Sequence, residues 1–331
     1  MPVSPPGNPQ FAEIAQIAQI AEIAEHPMVR RVQRLSRPGA PWHGMHLQVR
    51  EAGDVRAPWL VLLHPSPRSS VMYEPWMHTL APHFHVLAID TPGYGGSSPL
   101  PQPPRSLADY TAPLHALLQG LQQQMHQELQ SDPTAPGFLL YGSATGAQLG
   151  IAYARAYPQQ VRHLLLDNAA HFDDGERARI LAHYFPDLSP RDDGSHLQAV
   201  WRMAAQMLQF FPWFETDEAH RVSQHISQHI SQHISPRTPT AAEVHATAME
   251  ILAAGPGYAL AYRAAFEHER AEHVQALTVP TTLLRWEGSV LLRHIDRLLT
   301  FPLPPQVQVL QTPADFQSRY AAMTQHLLTL R

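Results

Sequence analysis

The sequence predicts an α/β fold, an open and mostly parallel sheet with helices on both faces. Three observations point there. Short runs such as Trp59-Leu60-Val61-Leu62-Leu63, Val86-Leu87-Ala88-Ile89 and Leu164-Leu165-Leu166 are apolar throughout, as strands covered on both faces are. Helical patterns separate these runs at the spacing of strand–helix–strand units. The alternation stops at residue 171 and resumes near residue 277, so a set of helices is inserted into one sheet rather than appended as a separate domain.

The elements follow in order. Residues 1–9 are rich in proline. Residues 11–25 carry a slipped triplet repeat, Glu13-Ile14-Ala15, Gln16-Ile17-Ala18, Gln19-Ile20-Ala21, Glu22-Ile23-Ala24. Ala, Gln and Glu favour helix, but a repeat of three falls short of 3.6, so the isoleucines drift around the helix and form no stripe. Residues 1–27 are therefore read as a low-complexity arm. Either it packs on the body or on a partner chain, giving a homo-oligomer, or it has no specific role. Strands are expected at 45–50, 59–64, 86–90, from 138, at 161–166, 281–286 and 307–310. Helices are expected at 73–80, 107–129, 148–157, 291–299 and 316–330. Residues 28–170 and 277–331 make the core. Residues 171–276 make a helical cap broken by Pro186, Pro190, Pro212, Pro236 and Pro256.

Composition narrows the function. The 331 residues are 44% hydrophobic and 15% charged, enough for a large core. The net charge is -5 and no basic patch is visible, which argues against nucleic acid as a partner. With 0 cysteines, disulfides, thiolate metal sites and cysteine nucleophiles are excluded together. The N-terminus lacks a basic segment followed by an apolar run, so it does not read as a secretory signal. No apolar stretch reaches the roughly 18–20 residues of a membrane helix. The expectation is a soluble, cytoplasmic protein. The 22 histidines make its charge pH-dependent below about pH 6.5.

Three motifs carry a family resemblance. His64-Pro65-Ser66-Pro67 resembles a His-Gly-x-Pro turn whose backbone lines an oxyanion hole. Asp90-Thr91-Pro92-Gly93-Tyr94-Gly95-Gly96-Ser97 is similar to a D-x-x-G-x-G-x-S loop. Gly142-Ser143-Ala144-Thr145-Gly146 resembles the nucleophile elbow, a sharp strand-to-helix turn written G-x-S-x-G. In this order and spacing, residues 45–331 resemble an α/β-hydrolase with a large helical cap inserted after the sixth strand.

The resemblance implies a serine on the elbow, an acid after a later strand and a histidine after the last strand. The serine position holds Ala144. The histidine position, in Thr312-Pro313-Ala314-Asp315-Phe316, holds Asp315. The usual acid loop reads Glu287-Gly288-Ser289-Val290, with an apolar residue where the aspartate belongs. A related subgroup places the acid after the strand ending at Leu166, where Asp167 or Asn168 stands. Losing the nucleophile alone costs on the order of a million-fold in turnover, so ordinary serine-esterase activity is not expected.

The backbone half of the site is independent of side-chain type. The amides of Ser66 and Thr145 are expected to point at a developing oxyanion, with His64, Ser143 and Asp167 at the rim of the binding site. Asp315 is read either as an acid or base in the same pocket or as a polar residue on a surface turn. His171 is read as a proton shuttle or as a hinge residue between sheet and cap. His196, near the turn Arg191-Asp192-Asp193-Gly194-Ser195, looks into the pocket or belongs to a helix-capping turn. Trp201, Met203, Met207, Phe210, Phe211, Trp213 and Phe214 are cap core, pocket wall, or both. If they line the pocket, the ligand is hydrophobic.

The repeat Ser223-Gln224-His225-Ile226, running to Ser235, sets His225, His229 and His233 at i, i+4 and i+8. It fixes no carboxylate beside them, so it is read as incidental histidine rather than a metal site. No Gly-rich phosphate or dinucleotide loop precedes a helix, and no cofactor is expected. Three readings remain open. One is an enzyme using the oxyanion amides on a small hydrophobic carbonyl compound by lyase, isomerase or cyclisation chemistry. Another is a catalytically inactive binding protein. The last is a hydrolase with a non-standard catalytic group.

Overall fold

The computed structural model describes residues 27–129, 137–217, 220–221 and 238–331. The triplet arm and the histidine repeat both lie outside these residues. Eight strands form one sheet: β1 (Val29–Arg34), β2 (His46–Ala52), β3 (Trp59–Leu63), β4 (His85–Ile89), β5 (Phe138–Ser143), β6 (Val161–Asp167), β7 (Thr281–Trp286) and β8 (Val307–Thr312). Their order is β1-β2-β4-β3-β5-β6-β7-β8. The β1–β2 and β2–β4 pairs are antiparallel and the rest parallel.

The strands alternate two faces with period two. Leu60, Leu62, Val86, Ala88, Leu139, Tyr141, Leu165 and Leu284 pack with Trp76, Met77 and Leu80 of α1 (Glu74–Leu80) and with Met323 and Leu327 of α10 (Phe316–Thr329). The intervening Val61, Leu63, Leu87, Ile89, Leu140, Leu164 and Leu166 face α2 (Ala108–Leu129), α3 (Thr145–Ala156) and α9 (Leu292–Leu298).

β1 is the strand that the sequence pattern does not reveal. Val29-Arg30-Arg31-Val32-Gln33-Arg34 is mostly polar and exposed, and it becomes a strand by pairing along β2, from Val29 opposite Glu51 to Arg34 opposite His46. It sits at the edge of the sheet, where a polar strand is soluble.

Between β6 and β7 the chain builds α4 (Asp174–His183), α5 (Ser195–Met207), α6 (Ala241–Ala254), α7 (Ala259–His268) and α8 (Ala271–Gln275). Asp173 with Glu176 and Thr240 with Glu243 make capping boxes that start α4 and α6. Leu188, Val200, Met203, Ala204, Val244, Ala248, Ile251 and Tyr258 form a separate small core. Most of the aromatic set named above is internal packing: the Trp213 indole donates to the Tyr184 carbonyl at 3.0 Å and Phe211 packs on Phe172. Trp201 is 43% exposed. Among the described residues no helix is long and apolar enough to cross a membrane.

The strand order places the site. The chain leaves β3 toward β4 on one side and later returns to β5 on the other, so the strand order switches between β3 and β5, and the carboxyl ends at such a switch flank the crevice where ligands bind in open α/β sheets. Leu63 pairs with Gly142 in register, so His64 and Ser143 follow side by side.

Candidate functional site

One residue joins β5 to α3. Ala144 has φ 48° and ψ −112°, a region that a residue with a Cβ rarely adopts. Gly142 and Gly146 make the turn possible. A Cβ on Gly142 would strike the Gly146 carbonyl, and one on Gly146 would strike the Leu63 carbonyl. The start of α3 therefore packs directly on the end of β3. The helix begins three residues earlier than the sequence pattern alone predicts. The Ala144 amide donates to the Asp167 carbonyl at 2.9 Å, and its own carbonyl accepts from Gln148 at 3.0 Å.

His64 is fully buried beside this elbow and braces the turn after β3. Its Nδ1 lies 3.0 Å from the Pro65 carbonyl, and its Nε2 accepts the Thr91 amide at 3.0 Å. The two contacts fix the proton on Nδ1, and burial lowers the basicity of the ring. The expectation of His64 at a ligand-binding rim is met by a different placement, under the turn. The Arg68 amide closes that turn onto the Pro65 carbonyl at 3.0 Å. Asp90, also buried, accepts from the Ser70 amide at 2.7 Å, the Gln48 side chain at 2.7 Å and the Gly96 amide at 2.8 Å. The D-x-x-G-x-G loop is thus tied to the turn after β3 through one carboxylate.

Tyr94 spans from this turn to the inserted helices. Its ring meets His64 edge-on at 5.7 Å and its hydroxyl donates to the Tyr258 carbonyl at 2.6 Å. Among the described residues the buried hydroxyls of Thr91 and Thr145 have no hydrogen-bond partner, and the Ser66 hydroxyl has the Tyr94 phenol beside it. Thr91 touches His64, Thr145 precedes the glycine packed on Leu63, and Ser66 lies two residues beyond His64. All three surround the same turn. Sequence reasoning missed Thr91 and Tyr94, although both stand in the motif that it quoted.

The residues expected at the acid and histidine positions make the following contacts. Asp167 accepts from the Tyr141 hydroxyl at 2.7 Å and from the Arg319 guanidinium, and Arg319 lies over the Trp286 ring at 4.1 Å. This buried group belongs to the sheet face under α10, with Tyr141. Asn168 has φ 56° and accepts from the Ser289 hydroxyl at 2.5 Å. Asp315 is the N-cap of α10: its Oδ1 accepts the Ser318 amide at 2.8 Å. The capping role, rather than an acid or base aimed into the pocket, is the one that its geometry describes.

The two histidines are also engaged. His171 Nδ1 accepts the Ala271 amide at 3.1 Å, its ring packs on Phe301, and its own amide donates to the His294 carbonyl at 3.1 Å. That is the hinge placement, where the chain leaves the sheet, and burial lowers its basicity. His196 Nδ1 accepts the Arg191 amide at 3.0 Å, within the turn that opens α5. Neither is brought next to Ala144 by these contacts. Ser143 is buried on β5 immediately before the apex. Among the described residues no group of three or more His, Asp or Glu side chains could hold a metal ion.

Known proteins share this architecture. Residues 58–244 match the family model described as alpha/beta hydrolase fold. An uncharacterized hydrolase of Saccharomyces cerevisiae is 26% identical over 132 residues, covering 40% of this chain and 41% of its own. A 1-acylglycerol-3-phosphate O-acyltransferase of Arabidopsis thaliana is 30% identical over 116 residues, covering 35% of this chain and 26% of its own. The chain thus spans less than half the length of these relatives. Among solved structures, the 2-hydroxy-6-oxo-6-phenylhexa-2,4-dienoate hydrolase of a Rhodococcus strain superposes with a TM-score of 0.59 at 16% identity, over 92% of this chain and 99% of that one. The elbow, the turn after β3, the strand order and the family match over residues 58–244 agree: the chain belongs to the α/β-hydrolase fold family.

Proposed function

We propose that this chain binds a small, largely apolar carbonyl compound beneath its inserted helices, which act as a cap. It polarises the carbonyl through backbone amides and forms no covalent bond to it. Ala144 carries this reading. Its methyl group can neither attack nor take a proton, yet its backbone is held in a conformation costing about 1–3 kcal/mol. What that conformation positions is the Thr145 amide, at the first turn of α3 and across the crevice from Ser66. Two such donors are the part of acyl-transfer machinery that needs no particular side chain.

The buried hydroxyls support the same reading. Each unpartnered one costs about 1–3 kcal/mol, and a ligand oxygen would relieve it. Chemistry open to such a site includes elimination, isomerisation and cyclisation, in which an enolate or carbonyl charge is held without a nucleophile. The Rhodococcus hydrolase, named for a 6-oxo-6-phenyl dienoate, handles a compound of the proposed class.

The placement of Asp315, His171 and His196, each accepting a backbone amide, favours a second reading: a protein that binds the ligand without turnover. Titration with an aryl trifluoromethyl ketone, followed by fluorine NMR, tests binding. Saturable binding weakened by Thr145→Val is expected, and absence of binding sinks the proposal. Loss of α-deuterium from a labelled aryl methyl ketone then separates a polarising enzyme from a silent binder. Hydrolysis of p-nitrophenyl esters that disappears in Ser143→Ala would overturn both in favour of a hydrolase with a non-standard nucleophile.

A further inference from the structure

The inserted helices reach the oxyanion turn through one carboxylate. Glu250, on α6, accepts from the Ser69 amide at 3.3 Å and the Ser69 hydroxyl at 3.1 Å through Oε1, and pairs with the Arg68 guanidinium through Oε2. Arg68 is the residue whose amide closes the turn onto Pro65. The next residue, Ser70, is held from the opposite side: Asp90 accepts its amide at 2.7 Å and Arg50 donates to its hydroxyl at 2.6 Å. The turn that carries Ser66 is therefore fixed from the core at its far end and from the insertion in its middle.

The covalent connections of the insertion to the sheet are at β6 and β7. His268 bonding Gln148 at 2.9 Å and Arg297 pairing with Glu176 add ties on that side. Glu250 touches the segment after β3, across the crevice and two strands away from β6. If the insertion moves, this is the end free to lift. The Tyr94–Tyr258 bond lies on the same side.

We infer that Glu250 is a positioning residue that couples the seated insertion to the order of the oxyanion turn, so that Ser66 is set for a ligand only when the helices are closed over it. The consequence for ligands rests on the function proposed above; the coupling itself does not. Burial raises the Glu250 carboxyl above its ordinary value, an effect that Arg68 and Ser69 offset only in part.

Amide hydrogen exchange without ligand tests the coupling, read at Ser66, Arg68, Ser69 and Ser70 beside the urea midpoint. In Glu250→Ala, exchange there is expected to rise about tenfold or more, the equivalent of losing a charged hydrogen bond, while the amides of β5 and β6 hold their rates. Glu250→Gln keeps an acceptor for Ser69 and is expected to restore most of the protection. If Glu250→Ala does not fold, Ser69→Ala, which removes the hydroxyl bond, and Arg68→Gln, which removes the ion pair, are read instead, each expected to raise exchange severalfold. Rates there within twofold of wild type in Glu250→Ala, or in both Ser69→Ala and Arg68→Gln where Glu250→Ala does not fold, overturn the inference. Faster exchange with unchanged trifluoromethyl ketone affinity leaves the coupling standing and removes the oxyanion reading.

Discussion

His64 and Thr91 share a hydrogen bond of 3.0 Å in which the imidazole Nε2 is the acceptor. That bond requires a neutral ring, and the Pro65 carbonyl 3.0 Å from Nδ1 holds its one proton. His64 therefore acts as a brace between the turns after β3 and β4. Replacing it with alanine leaves the buried Thr91 amide unpaired and opens a cavity, while the Pro65 carbonyl keeps its bond from the Arg68 amide. A loss of about 2–4 kcal/mol in urea denaturation is expected. Nitrogen-15 NMR should find the proton on Nδ1 and no titration of this ring at pH 6. A His64 that charges near pH 6.5 would contradict the brace.

The elbow makes a prediction of opposite sign. At Ala144, φ 48° and ψ −112° mirror a conformation that glycine reaches freely. Ala144→Gly is expected to stabilise the protein by about 1 kcal/mol, strain relief outweighing the extra freedom of the unfolded chain. Gly146→Ala, which puts a Cβ into the Leu63 carbonyl, should destabilise strongly. Ala144→Ser alone should leave ester hydrolysis at background, because the carboxylate of Asp315 caps α10 and no base is supplied. Appreciable ester turnover in that variant would show an unrecognised base beside the elbow.

Asp167 and Arg319 make the third case. Both are buried, and the Tyr141 hydroxyl shares the carboxylate. Removing one charge of such a pair strands the other, which costs about 3–5 kcal/mol. Asp167→Ala should fall in that range by denaturation, and Asp167→Ala with Arg319→Met should recover part of it. A double variant as unstable as the sum of the two singles would mean that the residues do not interact.

The sequence revealed the fold where burial is two-sided and failed where it is not. β3 and β4 are apolar at nearly every position, and β6 through Leu164-Leu165-Leu166, because helices cover both faces, whereas β1, exposed at the sheet edge, carries no such pattern. The elbow glycines were legible because backbone contact at Gly142 and Gly146 admits no other residue. The Asp167–Arg319 pair was not, since its members lie 152 positions apart and nothing local marks either one. Asp315 and His196 were visible as polar residues near the right loops. Which group each one meets is decided by the helix starts at Phe316 and Ser195, and a local sequence fixes the cap more readily than the pocket.

The histidines give the stability a pH dependence whose sign is set by burial. His163 Nε2 lies 2.8 Å from the Thr282 hydroxyl oxygen, and His326 Nε2 lies 2.9 Å from the same atom, with the Gln308 amide donating to it at 3.2 Å. Thr282 has one proton to give, so one imidazole accepts while the other donates, and a second ring proton has no acceptor. Burial, with His326 and Arg162 nearby, lowers His163 to about 4. Burial, with His273 stacked at 3.8 Å and Arg155 beside it, lowers His268 to about 3. Both pKa values are depressed from 6.5 in the folded state. The unfolded chain therefore takes up protons first as pH falls below 6.5, and the folded state is progressively disfavoured until its own rings titrate. Each group removes up to about 1.4 kcal/mol per pH unit in that window. Urea midpoints should be flat from pH 8 to 7 and should fall steadily from pH 6.5 to 4.5. His163→Gln, which has no charge to gain, should make that fall shallower. An unchanged slope in this variant would show that His163 is not held neutral in the folded protein.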